Sequence, residues 1–127
     1  MTDGFRKHGA LSWFELTTTD VRAAESFYGR LFGWKTEPWV GEGSYTLIKL
    51  EGEEVGGMVP APAGESPKPP GWGLYVTVTD VDETAKKVPE LGGKVLVPPT
   101  DIPKVGRFCL IQDPMGAVIS AITYRRD

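Results

Sequence analysis

Apolar residues along the chain follow two periodicities, and the switch between them occurs twice at corresponding places. The run Trp13-Phe14-Glu15-Leu16-Thr17-Thr18 alternates apolar and polar positions, and Gly73-Leu74-Tyr75-Val76-Thr77-Val78 does the same. Such alternating runs predict a strand in each. Both runs lead into Thr-Asp-Val, at residues 19–21 and 79–81, where the Asp reads as a helix N-cap. Beyond the first cap, Val21, Ala24, Phe27, Tyr28, Leu31 and Phe32 recur at helical spacing opposite Arg22, Glu25 and Arg30, and Gly33 supplies a left-handed stop. The second helix sets Val81, Ala85, Val88 and Leu91 on one face, but Pro89 falls inside it, which predicts a kink or an early end near Val88.

After each helix the pattern shortens to extended segments at 34–40, 44–50 and 54–60, then at 94–97, 106–112 and 117–124, with turns such as EGEE and DPMG between them. A shift of sixty residues superposes Thr17 on Thr77, Thr19-Asp20-Val21 on Thr79-Asp80-Val81, Leu31 on Leu91 and Gly33 on Gly93. The expected fold is therefore α+β, a single domain over residues 1–127 built of two β-α-β-β-β modules. Module 1 covers about residues 11–60, a Pro/Gly-rich connector 61–72, and module 2 about 73–124. Modules of about fifty residues bury too little apolar surface to stand alone, so they pair within the chain or across a homodimer.

Composition narrows the function. Fourteen basic against seventeen acidic residues give a net charge of −3, which argues against a nucleic-acid partner. No apolar run is long enough for a membrane span and MTDGFRKHGA lacks a signal-peptide core, so a cytoplasmic protein without a membrane partner is expected. The single cysteine, Cys109, sits between apolar neighbours and reads as a structural thiol. The single histidine, His8, lies in a Gly-flanked leader, where disorder concentrates. The acids of EGEE and of the Thr-Asp-Val caps read as turn and cap chemistry, and Gly56-Gly57 and Gly92-Gly93 as turn or bulge glycines with no phosphate loop around them.

The segments TDVRAAESFYGRLFGW, VTDVDETAKKVPELGG, PPTDIPKVGRF and DPMG, in this order and spacing, resemble the vicinal-oxygen-chelate superfamily of glyoxalases, bleomycin-resistance proteins and extradiol dioxygenases. The nearest likeness is to small bacterial glyoxalase-like proteins that carry a hydroxylase label, and it covers about residues 11–124. The resemblance implies paired modules whose curved mixed sheets enclose a cavity, and in the enzymes of the superfamily a divalent metal that binds substrate oxygens. At the family's ligand positions this chain has Trp13, Gly73, Ser120 and, by matching Gly57 to Gly116, Ala61. Those side chains offer at most one hydroxyl, so neither the metal nor any other cofactor is expected.

Alternation turns Phe14, Leu16, Leu74, Val76 and Val78 toward the helices. Trp13, Glu15, Thr17, Tyr75 and Thr77 then line the concave side, joined by Ser120. Aromatic walls with a few hydroxyls and one carboxylate suit a small organic ligand. Glu15 is the plausible general base, since an acid facing an aromatic cavity is partly desolvated. Arg107, after Gly106 in the loop leading to a late strand, is either an anion holder at the cavity mouth or, as is commoner for such an arginine, a solvated or structural surface group. Three functions compete: a metal-independent small-molecule-binding protein, a glyoxalase-like lyase or oxygenase using Glu15 or a metal site elsewhere, and a subunit-association module with a solid interface. A homodimer is expected in each.

Overall fold

The structure, a computed structural model, describes residues 3–39, 44–62 and 70–125. It divides into two compact units, Trp13–Gly73 and Leu74–Asp127 with Thr2–Ser12. Strand β1 (Leu11–Thr18) leads through helix α1 (Val21–Phe32) to β2 (Lys35–Pro38), β3 (Thr46–Leu50) and β4 (Glu53–Pro60). Then β5 (Gly71–Thr77), α2 (Val81–Glu90), β6 (Lys94–Ile102), β7 (Gly106–Gln112) and β8 (Val118–Tyr124) repeat the order. In the first unit β1 pairs parallel with β4, and β4–β3 and β3–β2 pair antiparallel. The second repeats this with β5 parallel to β8, and β8–β7 and β7–β6 antiparallel. The α+β class and the repeat of β-α-β-β-β are as the sequence predicts.

The two caps form as the repeated Thr-Asp-Val requires. The Asp20 side chain accepts from the Ala23 amide at 3.0 Å, and Asp80 accepts from Asp82 and Glu83 at 3.0 and 3.2 Å. Gly33 closes α1 with φ +77, whereas α2 is followed by Leu91 and then by Gly92 at φ +91. The left-handed stop thus comes one residue before Gly93. Pro89 lies within α2, and the helix continues to Glu90. Its missing donor falls in the last turn, and α2 ends two residues past Val88 and two residues earlier in the repeat than α1 does.

Each unit has its own core. Leu16, Ile48 and Met58 form the first, with Phe14, Val21, Ala24, Tyr28 and Trp34 packed on them. Val78, Val81, Ala85, Cys109 and Ala121 form the second. Phe14, Leu16, Val76 and Val78 do face their helices, while Leu74 is exposed. Cys109 is buried as expected, and that burial pushes its thiol pKa up. The apolar stripe of α1 is wider than its seat. Val21, Ala24 and Tyr28 meet the core, but Phe27, Leu31 and Phe32 are exposed.

Two further differences concern proline and glycine. Strand β6 continues through Pro98 and Pro99 to Ile102, with register shifts between Val95 and Val97 and between Val97 and Thr100. It lies at the outer end of its unit's strand order, where a proline breaks no ladder bond on its free side. Of the turn or bulge expected at Gly56 and Gly57, the turn does not form, since both are strand residues of β4, while the ladder to β3 does shift register beside Gly56, between Ile48 and Lys49. A Cβ on Gly56 would lie 2.8 Å from the Phe14 ring, and one on Gly57 would collide with the Tyr45 ring. Each glycine admits an aromatic side chain, on opposite faces of one strand. The connector lies mostly outside the described residues, but Trp72, at its end, belongs to β5. Its indole donates to the Tyr28 hydroxyl at 3.3 Å and packs on Phe14.

Arg107 plays a structural part. Its guanidinium donates to both Asp82 oxygens, at 3.0 and 3.1 Å, and to Asp101 at 3.1 Å, tying the β6–β7 hairpin to the first turn of α2. The hydrogen bonds from Arg107 hold the Asp82 carboxyl below its usual range. A depressed carboxylate stabilises the fold above its unfolded pKa, about 3.9, and that contribution disappears as pH falls through the folded value. Urea melts of Asp82→Asn should therefore show a stability deficit at pH 7 that closes in strong acid. A deficit of equal size at both pH values would contradict this assignment.

Candidate functional site

The face of the first unit turned away from α1 is built by the odd residues of β1 and their cross-strand neighbours. Glu15 pairs with Gly57, and Gly57 with Leu47. Tyr45, just before β3, lays its ring over the bare Gly57 backbone. The Trp13 indole N–H donates to the Tyr45 hydroxyl at 2.9 Å, and that hydroxyl donates to Glu15 Oε2 at 2.9 Å. Because a phenol carries one proton, the donor toward Glu15 and the acceptor toward Trp13 are both assigned. Trp39 closes edge-on against Tyr45, ring centroids 6.1 Å apart. Glu15 is 8% exposed, a carboxylate placed beneath aromatic rings.

Thr17 shares this face of β1. It is 3% exposed, and its hydroxyl has no hydrogen-bond partner among the described residues. Leaving a buried hydroxyl unpaired costs on the order of 1–3 kcal/mol.

The second unit carries a corresponding face. Tyr75 pairs with Ser120, and Ser120 with Leu110; Tyr75, Thr77 and Ser120 are all buried. Phe108 tilts against Tyr75 with centroids 6.3 Å apart. Residues 3–10 of the leader belong to this unit and are held by it. A 3₁₀ turn, Asp3–Arg6, places the Phe5 carbonyl to accept from the Thr77 hydroxyl. Gly9 donates to the Thr77 carbonyl at 2.7 Å, and the Thr77 amide donates to Ala10 at 2.8 Å. His8 Nδ1 accepts from the Thr79 amide at 2.9 Å. The leader expected to be disordered is instead pinned by these bonds, and His8 serves as a local backbone cap. The Ser12 and Tyr124 hydroxyls lie 2.8 Å apart, and burial raises the Tyr124 phenol pKa.

Of the residues named from sequence, Trp13 and Glu15 are joined through Tyr45, and Tyr75 and Ser120 are neighbours. Thr77 is engaged by the leader and Thr17 by none of the described groups. Tyr45 and Phe5 were missed. The alternation Tyr45-x-Leu47 facing a glycine strand was the available signal for Tyr45.

The residues at the superfamily's metal positions do not fit a divalent ion. Trp13 presents an N–H already directed to Tyr45, Gly73 has no side chain, and Ser120 carries a hydroxyl. The fourth position is Gly57 and not Ala61, because Gly57 stands opposite Glu15 as Ser120 stands opposite Tyr75, and it too offers no side-chain donor. Hard cations need several oxygen or imidazole ligands together. Among the described residues no three His, Cys, Asp or Glu side chains gather.

Comparison with known proteins agrees with the fold. The chain is 42% identical over 118 residues to "Putative glyoxylase CFP32" of Mycobacterium tuberculosis, covering 89% of this chain and 45% of that protein. It is 33% identical over 129 residues to the anthracycline biosynthesis protein DnrV of Streptomyces peucetius, covering 88% and 46%. The chain thus spans about half the length of the curated relatives it matches. A glyoxalase/bleomycin resistance protein/dioxygenase superfamily member from Vibrio splendidus 12B01 superposes with a TM-score of 0.60 at 16% identity, covering 88% of this chain and 96% of its own. The sequence model of one family matches residues 10–120, so the chain belongs to the Glyoxalase/Bleomycin resistance protein/Dioxygenase superfamily.

Proposed function

We propose that this chain binds a small organic molecule without a metal, using the Trp13, Glu15 and Thr17 face of its first unit. The observation that carries this reading is the unpartnered Thr17 hydroxyl, buried on the same strand face as a hydrogen-bonded Trp13–Tyr45–Glu15 chain. Aromatic surface supplies affinity and a few oriented polar groups supply selectivity. The relation to anthracycline biosynthesis proteins supports ring compounds as the class to test. A cytoplasmic setting and the single-domain division of the chain belong to the same proposal. A melting screen in chelator should find ring compounds that raise the transition temperature, with the rise lost in Trp13→Ala. A screen in which every rise requires added metal, or in which none occurs, would overturn the reading.

Two alternatives each have an observation in their favour. A glyoxalase-like enzyme with Glu15 as base is favoured by the Tyr45 hydroxyl that orients its carboxylate. That reading expects solvent deuterium to enter a bound ligand, and to stop entering in Glu15→Gln. Self-association is favoured by Phe27, Leu31 and Phe32, which lie exposed along α1, since a homodimer would cover such a stripe. Sedimentation at micromolar concentration should give the mass of two chains. A mass of one chain would remove the dimer.

A further inference from the structure

Thr17 and Thr77 occupy equivalent places in the sixty-residue repeat. Both are buried, at 3% and 4% exposure, each near the end of its unit's first strand. Their hydroxyls differ in one respect. That of Thr77 donates to a carbonyl oxygen, supplied by Phe5 of the leader, and that of Thr17 meets no partner among the described residues. The second unit therefore displays the group that this position accepts when it is filled, a neutral, strongly accepting C=O oxygen.

We infer that the ligand of the first unit is a carbonyl compound whose oxygen accepts a hydrogen bond from Thr17, as the Phe5 carbonyl does from Thr77. The inference rests on the binding function proposed above and narrows its ligand to neutral ring ketones, quinones and amides. A hydrocarbon of the same shape would bury the hydroxyl still unpaired, and a site built to hydrogen-bond an oxygen discriminates against the analogue that lacks it. A bound water is the rival occupant, since a buried polar group is often met by one.

Matched ring compounds separate these possibilities. Binding of 1-tetralone and of tetralin, followed by amide shifts in ¹H–¹⁵N spectra, should favour the ketone by roughly tenfold, the equivalent of one hydrogen bond. In Thr17→Val the preference should vanish, and in Thr17→Ser, which keeps a hydroxyl, it should return. Equal binding of the two compounds to the wild type, or a preference that survives Thr17→Val, overturns the carbonyl assignment while leaving the binding function standing. If neither compound binds at millimolar concentration while other ring compounds do, the carbonyl assignment again falls alone. If no ring compound binds, both fall.

Discussion

Replacing Gly57 by alanine is expected to destabilise the chain by roughly 2–3 kcal/mol, because one methyl group displaces the Tyr45 ring. The Cβ of residue 57 points into the space that the Tyr45 hydroxyl and ring edge occupy. Gly57 is held on both sides by the ladders to Glu15 and Leu47, so the backbone cannot retreat. The ring must swing away. Two hydrogen bonds are then lost, the one from Trp13 and the one to Glu15, along with the edge contact to Trp39. A fall of about 10 °C in melting temperature follows for a domain of this size. The same substitution made in a Tyr45→Ala background should cost far less, since the obstructing ring is already gone. A double-mutant cycle showing no coupling between positions 45 and 57 would refute the account.

Paired substitutions at the two equivalent threonines should move stability in opposite directions. Valine matches threonine in shape and branching, so the change removes a hydroxyl and little else. At Thr17 the hydroxyl is buried without a partner, and its loss should stabilise the ligand-free protein by about 1 kcal/mol. At Thr77 the same change deprives the Phe5 carbonyl of its donor and should destabilise by about 1 kcal/mol. The leader would loosen with it, visible as faster amide exchange at Gly9 and Thr79, whose amides bond within this segment. Urea titrations of the two variants against wild type check the signs. If both variants lose stability equally, the Thr17 hydroxyl has a partner and its role as a ligand anchor fails.

The features legible in the sequence were those set by local chemistry. Asp20 and Asp80 could be recognised as caps because an Asp before an apolar-periodic run satisfies its own helix's first amides. Alternation in β1 and β5 separated Leu16 from Glu15 and Val76 from Tyr75 because side-chain period in a strand is two. What depended on the neighbour was not legible. The stripe on α1 includes Phe27, Leu31 and Phe32, yet periodicity does not say how much of a stripe the sheet can cover. Tyr45 lies over Gly57 in a register that shifts between Ile48 and Lys49; the Gly56-Gly57 pair marks a turn or bulge there, but not which residue it brings opposite Glu15. Which of its two expected roles Arg107 takes depends on Asp82, brought to it from another element, and on Asp101. The leader has no periodicity of its own, and its order comes from bonds to Thr77 and Thr79.

The superfamily's metal chemistry and the hydrogen-bonded face of this chain lead to opposite expectations in one titration. The tightest ring compound from the melting screen, titrated into the protein and followed by tryptophan fluorescence, should bind with the same dissociation constant in chelator and in zinc, nickel, manganese or iron(II). Tyr45→Phe, which removes the hydroxyl linking Trp13 to Glu15, should weaken it by roughly tenfold in every condition. Binding that vanishes in chelator and returns with one equivalent of a divalent ion would contradict metal-independent recognition.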